Sequence, residues 1–198
     1  MDRWLGIGGF VIGVVGLVLT IYYARKAEQL NLAKKRLDWA DLQNAANDLG
    51  RQIRREFPPS AIVTPGLAGA TFGNLLATEF QNQPPVFVGT RTWREDPHEP
   101  VKSDGSFYFT TTKWIVTIPK AVLNYKDGNI LIIDDFVMSG DFLARLRERL
   151  IESGVPADRI RAASVAVTRV ACKNHKAPEY YWWLADNDDF YFPWGRAK

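Results

Sequence analysis

Soft metal ligands are scarce in this 198-residue chain, which has one cysteine, Cys172, and two histidines, His98 and His175. A single thiol excludes an internal disulfide framework and any cysteine-rich zinc module, and it suits a reducing compartment. Zinc and iron chemistry lack a ligand set, which leaves magnesium held by carboxylates and phosphates as the metal such a chain can use. An excess of one charge is missing too: 25 basic residues face 22 acidic ones, a net +3. Bulk charge therefore does not indicate nucleic acid as a partner. No internal repeat or low-complexity tract is present, and neither His98 nor Cys172 has the neighbours that make a nucleophile. The length suits one core with an attachment.

What the chain does have, at its start, is a long uncharged run. From Trp4 to Tyr23 twenty residues carry no charge, and a helix of that length spans about 30 Å, the thickness of a bilayer core. Trp4 at one end and Tyr22 and Tyr23 at the other resemble interfacial anchors, with Arg25 and Lys26 following at once. A transmembrane helix over 1–23 accounts for these features. A cleaved signal peptide or a buried helix of a soluble protein are the competing readings, but a signal peptide should start basic and end at a small-x-small site. This one starts Met-Asp-Arg and exits Tyr-Tyr-Ala-Arg-Lys. Gly9 and Gly13 form one GxxxG pair, which permits helix pairing in lipid.

Between Ala24 and Ser60 eight basic residues outnumber five acidic ones, while residues 61–198 carry sixteen of each sign. The excess positive charge thus lies beside the apolar run, which predicts a single-pass protein whose C-terminal body is cytoplasmic. Leu30, Ala33, Leu37 and Ala40, then Leu42, Ala45, Leu49, Ile53 and Phe57, recur at helical spacing, so 24–58 is expected to form one or two amphipathic helices. Its basic side either meets anionic headgroups or is the solvated face of a helix packed on the next domain. Pro58 and Pro59 end it in either case.

Beyond residue 59 strands and helices alternate. Ala61–Val63 and Val86–Val88 are apolar runs, Ala68–Phe80 has helical character, and Phe107–Thr111 and Trp114–Ile118 are rich in strand formers. Asn129–Ile133 leads into two aspartates, a helix is expected over Asp141–Ser153, and Ala162–Thr168 is a further buried strand. Such alternation predicts an α/β fold, a mostly parallel sheet flanked by helices on both faces. Residues 91–106 form a long loop suited to closing over a ligand.

Two loops at strand ends carry the candidate chemistry, where open α/β sheets bind ligands. In Ile130-Leu131-Ile132-Ile133-Asp134-Asp135-Phe136-Val137-Met138-Ser139-Gly140 two carboxyls leave a buried strand, and like charges there raise one another's pKa unless a polar ligand or metal engages them. Ser139 and Gly140 then open a helix, where backbone N–H groups and a hydroxyl can hold phosphate. Together they describe a ribose-phosphate site; a surface turn with Ser139 as helix cap is the alternative. Upstream, Thr64-Pro65-Gly66-Leu67-Ala68-Gly69 repeats the order of strand, glycine bend and helix.

ILIIDDFVMSG resembles the phosphoribosyl pyrophosphate motif of type I phosphoribosyltransferases, and its Asp-Asp-Phe wording is closest to bacterial xanthine phosphoribosyltransferases. The loop from Thr64 to Gly69 is similar to that family's pyrophosphate loop, and Asp189-Phe190-Tyr191-Phe192-Pro193-Trp194 resembles the hood strand of its purine-type members. The resemblance covers about residues 45–198 and places a phosphoribosyltransferase-like domain at 59–198 with a hood at 171–198. It implies transfer of ribose 5-phosphate from phosphoribosyl pyrophosphate to a nitrogenous base, with magnesium present and pyrophosphate released. Asp134 and Asp135 would hold the ribose hydroxyls and the metal, and Phe136, Val137, Met138, Ser139, Gly140 and Asp141 the 5′-phosphate. Pro65, Gly66, Leu67, Ala68, Gly69 and Arg91 would face pyrophosphate, with Arg94 and Lys102 as further basic candidates. Phe192 or Trp194 would stack on a purine base, and Lys173, or Lys176, would reach an exocyclic oxygen. A homo-oligomer is expected on the same ground.

Three positions depart from the family. Met138 stands where many purine-type members carry an aspartate that helps move a base proton, and a thioether cannot do so. Asp141 and Phe142 stand where small or hydroxyl residues complete the phosphate loop. A carboxylate repels a phosphate dianion and a phenyl ring gives it no hydrogen bond; alternatively Asp141 is a first-turn acid favoured by the helix dipole and turned away from the ligand. Two functions therefore stay open: a membrane-anchored phosphoribosyltransferase, or a weak or inactive relative that senses a nucleotide at the membrane.

Overall fold

In the computed structural model the described residues are 35–94 and 105–197. The uncharged run at 4–23 lies outside them, as do Lys102 and His98. Among the described residues no helix is long and apolar enough to cross a membrane.

Five strands form one parallel sheet: β2 (Ala61–Thr64), β3 (Val86–Val88), β7 (Ile130–Val137), β8 (Ile160–Thr168) and β9 (Tyr180–Ala185). Their order is β3-β2-β7-β8-β9, every neighbouring pair being parallel. In chain order that is 2-1-3-4-5, a doubly wound sheet whose direction of winding reverses between β2 and β7. All eight residues of β7 are buried, as befits a central strand covered on both faces. Leu131 and Ile133 face one core, with Ile62, Phe72 and Leu76, while Ile130 and Ile132 face the other, with Val63, Leu143, Leu146 and Leu150.

Three helices cover the sheet: α1 (Trp39–Glu56), α2 (Leu67–Ala77) and α3 (Asp141–Glu152). A short helix, α4 (Arg169–Lys173), follows β8. α1 begins in a capping box, in which Asp41 N–H donates to Asp38 at 2.9 Å and Asp38 N–H to Asp41 at 3.0 Å. It ends at Glu56, with Phe57 as its C-cap just before the two prolines, as expected. Leu42, Ala45, Ala46, Leu49 and Ile53 are buried along one stripe. This helix is therefore an integral layer of the body and not a linker before it: its apolar stripe packs on α2 and the sheet, and burying it stabilises far more than helix propensity does.

Two small three-stranded additions frame the site. One is a sheet of β4 (Thr90–Trp93), β6 (Trp114–Pro119) and β5 (Ser106–Thr110), in the order β4-β6-β5. The expected long loop is thus shorter, since its first residues pair with β6. The other addition is the hood. In it β10 (Phe190–Phe192) pairs with β11 (Gly195–Arg196) and, in parallel, with β1 (Lys35–Arg36). The aromatic segment at 180–183, assigned by its sequence to the hood, instead forms β9 at the edge of the main sheet. The hood gains the N-terminal β1 in its place.

Candidate active site

β2 and β7 lie side by side, so their carboxyl ends bring the loop at 64–69 and the pair Asp134–Asp135 together at the point where the winding reverses, the place at which such sheets bind ligands. Each strand hands over to a helix through a glycine, and at α3 the Asp141 N–H donates to Ser139 Oγ at 3.4 Å, a long bond of the kind the helix-cap alternative for Ser139 requires. Gly66 precedes α2 and Gly140 precedes α3, and neither helix has a capping side-chain bond at that residue. The first N–H groups of a helix have no partner within it, so two positively polarised backbone ends face one crevice. Pro65, Gly66 and Gly69 are buried there, whereas Leu67 is exposed at the rim.

Asp134 and Asp135 are both buried. Arg91 reaches Asp134 from β4: its Nη2 donates to Oδ1 at 3.1 Å and to Oδ2 at 3.2 Å, and its Nε donates to the Pro65 carbonyl at 3.1 Å. The guanidinium also lies 4.6 Å from the centroid of the Phe142 ring. It thus ties together the two loops and the first turn of α3. Gly66 makes room for it, because a Cβ there would come 2.7 Å from Arg91 Nε. Asp135 is held from the opposite element: Trp194 Nε1 of the hood donates to its Oδ2 at 3.0 Å.

Burial raises both carboxyls. It pushes Asp134 up to about 8 from an ordinary 3.8, outweighing the Arg91 guanidinium, which pulls it down, while the neighbouring Asp135 adds to the rise. Asp135 is raised by burial against the Trp194 hydrogen bond. Near neutral pH the pair therefore retains a proton, so that it offers both a donor and acceptors to hydroxyl groups.

The phosphate-loop candidates follow. Gly140 takes a left-handed φ of +82°, and a Cβ there would lie 2.2 Å from the Lys176 carbonyl oxygen, so no other residue fits without displacement. Ser139 Oγ donates to Asp141 Oδ2 at 2.9 Å, Lys176 Nζ donates to Asp141 Oδ1 at 2.7 Å, and Thr168 Oγ1 donates to the Met138 carbonyl. Lys176 is therefore at the phosphate loop. Lys173 is exposed on the last turn of α4. Phe192 is buried, 3% exposed, and lies parallel to Trp194 with centroids 5.0 Å apart; Trp39 approaches the same indole at 6.0 Å. Arg94 is exposed, its N–H donating to the Lys113 carbonyl at 2.9 Å.

Beside Asp134 opens a cavity of about 420 Å³, lined by residues 136–141 together with Arg91, Trp93, Trp114 and Phe142. Trp93 and Trp114 meet edge to face at 4.8 Å. Sequence patterns did not single out these two tryptophans; their alternation within β4 and β6 is visible, but not the partner they would face. Among the described residues no group of three or more acidic, histidine or cysteine side chains converges on a metal position. Two adjacent carboxylates nonetheless fit magnesium of the kind that completes its shell with water and a ligand's phosphates.

A doubly wound sheet with twin acids and two glycine-led helix starts at its reversal point defines an α/β protein of the kind that binds a ligand at the carboxyl ends of its strands. Residues 37–196 match the family model of the phosphoribosyl transferase domain, and the chain belongs to that family. A sequence search of the curated proteins found no match. Among solved structures, a purine phosphoribosyltransferase from Pyrococcus horikoshii Ot3 is similar at 20% identity, with a TM-score of 0.60 over 82% of this chain and 94% of that one. An APRTase from Giardia lamblia in complex with 9-deazaadenine is 13% identical, with a TM-score of 0.57 over 73% and 80%. A xanthine-guanine-hypoxanthine phosphoribosyltransferase from Helicobacter pylori is 15% identical, with a TM-score of 0.54 over 81% and 91%. At these identities the likeness is one of fold.

Proposed function

We propose that this chain transfers ribose 5-phosphate from phosphoribosyl pyrophosphate to a purine-type base at the crevice between β2 and β7, from a position tethered to a membrane. The observation that carries the reading is the meeting of three parts at the ends of β2 and β7: the loop at 66–69 lies against Asp134, Arg91 joins Asp134 to the Pro65 carbonyl, and Asp134 lines one cavity with residues 136–141. In this reaction the bond between C1′ and the pyrophosphate oxygen breaks, its electron pair leaving with pyrophosphate. A nitrogen lone pair of the base forms the new bond to C1′, and the proton of that nitrogen passes to solvent, since Met138 has no group to accept it.

The protein's part is positioning and charge. The proton-bearing acid pair takes the ribose hydroxyls, and the N–H groups of Leu67, Ala68 and Gly69 face the charge that develops on the leaving group. Arg91, anchored on β4, is within a side-chain swing of the same region; in moving from Asp134 to pyrophosphate it would free the carboxyl for ribose. On giving up the shared proton, Asp134 and Asp135 would hold magnesium, which when bound would supply neutralisation of the leaving pyrophosphate. The indole of Trp194 and its stack on Phe192 border the base side.

A second reading has its own observation. Arg91 occupies Asp134, and Asp141 already takes the bonds of Ser139 and Lys176, which favours a protein that binds its ligand with little turnover and signals at the membrane. Incubating the full-length chain, solubilised in detergent, with magnesium, phosphoribosyl pyrophosphate and each purine base separates the two. Pyrophosphate release with one base supports the transferase, whereas calorimetric binding without release for any base rejects it in favour of the sensor.

The tether rests on the uncharged run 4–23 and the basic residues after it, with the body facing the cytoplasm. β1 starts at Lys35 and belongs to the hood, so an anchor would enter the body next to the site. Full-length protein is expected to sediment with vesicles and a form starting at Ala24 to remain in solution; equal sedimentation of both would remove the anchor.

A further inference from the structure

The turn that starts α3 is closed over by residues far away in sequence. Lys176 follows α4, and its backbone carbonyl sits so close to Gly140 that only glycine fits beneath it. From this fixed position the Lys176 ammonium reaches Asp141 Oδ1 at 2.7 Å, while the other oxygen, Oδ2, accepts from Ser139 Oγ at 2.9 Å. A hydroxyl and an ammonium at a helix start are the donors a phosphate group would take from this loop. Both are turned instead to a carboxylate of the chain itself. Asp141 remains exposed to solvent, so an incoming anion can reach it. Its carboxyl is held below the usual carboxylate range, chiefly by the Lys176 bond and then by that of Ser139, and it is charged across the neutral range.

We propose that Asp141 is an internal competitor for the 5′-phosphate of the phosphoribosyl ligand: its carboxylate occupies Ser139 and Lys176, and a phosphate binds by displacing it. This inference rests on the phosphoribosyl reading of the site. Asp141 thereby sets the selectivity of the loop. A ligand with a 5′-phosphate must overcome both the existing bonds and the repulsion of a like charge, whereas the ribose hydroxyls at Asp134 and Asp135 are unaffected. The competition also gives Lys176 a defined role, as the cation that passes from Asp141 to phosphate.

The test is calorimetric titration of the full-length chain, solubilised in detergent, with ribose 5-phosphate, with inorganic phosphate and with ribose. Asp141→Asn keeps the shape and a polar first turn but removes the charge. It is expected to bind ribose 5-phosphate and inorganic phosphate about ten-fold more tightly than wild type, a shift of about 1.4 kcal/mol, with ribose affinity unchanged. Asp141→Ser, which removes the carboxylate by a different route, should show the same gain. In a Lys176→Met background the gain from Asp141→Asn should shrink, because the shared cation is gone. Wild type that binds ribose 5-phosphate, with no gain in either Asp141 variant or a gain equal for ribose, overturns the competition alone. Failure of wild type and both variants to bind ribose 5-phosphate overturns the phosphoribosyl reading as well.

Discussion

Replacing Arg91 by alanine perturbs the best-anchored contact in the crevice, and its cost depends on pH in a direction the geometry sets. The guanidinium donates to both oxygens of Asp134, to the Pro65 carbonyl, and rests on Phe142. While Asp134 keeps its proton, the loss comprises ordinary hydrogen bonds of about 0.5–1.5 kcal/mol each and a cation–ring contact of about 0.5–1 kcal/mol. With the forked Nη2 contact counted once, about 1.5–4 kcal/mol is then expected. Once Asp134 ionises, which burial delays to about 8, Arg91→Ala removes one partner of a buried ion pair, a change that costs about 3–5 kcal/mol. The sign follows from linkage: Arg91 pulls the Asp134 pKa down, so the variant carboxyl holds its proton to higher pH, and the stability difference widens as pH rises through about 8. Urea unfolding of the full-length chain in mild detergent, followed by tryptophan fluorescence at about pH 6 and about pH 9, measures both values. A loss below about 1 kcal/mol at both, or one that narrows with rising pH, refutes this account of the pair.

Wild-type stability itself should depend on the same carboxyl. Asp134 is raised from 3.8 to about 8, so the folded chain binds the extra proton between those values and the melting temperature should fall as pH rises across that window. Asp134→Asn should flatten the slope, and an equal slope in the variant would place the proton elsewhere. At the phosphate loop, Gly140→Ala must accommodate a Cβ 2.2 Å from the Lys176 carbonyl at a φ of +82°. A thermal melt should show destabilisation of at least about 1 kcal/mol, and an unchanged midpoint would mean that the segment bearing Lys176 does not hold the loop.

The parts of this molecule that can be read from sequence are those in which local chemistry and tertiary structure agree. The run Ile130–Ile133 is apolar because β7 is buried on both faces, and Ser139-Gly140 signals a helix start because that is what it forms. Leu42, Ala45, Leu49 and Ile53 show helical spacing in the sequence, but spacing does not reveal what a stripe packs against. It packs into the body's own core. Strand membership at the C-terminus was ambiguous for a similar reason: Tyr180–Trp183 and Phe190–Phe192 have the same aromatic character, and only the register on β8 separates sheet from hood. The ties that define the site, Arg91 to Asp134 across 43 residues and Lys176 to Asp141 across 35, depend on chain crossings that no local pattern encodes. Arg91 was visible as a cation for pyrophosphate; its seat on the carboxyl was not.

The most direct measurement of the central claim is calorimetric binding of phosphoribosyl pyrophosphate, with magnesium, to the full-length chain and to the Asp134→Asn, Asp135→Asn double variant. Binding by the wild type and a loss of at least about ten-fold in the variant, or about 1.4 kcal/mol, is the predicted result. Equal binding by the two proteins would mean that the ligand sits somewhere other than the crevice between β2 and β7.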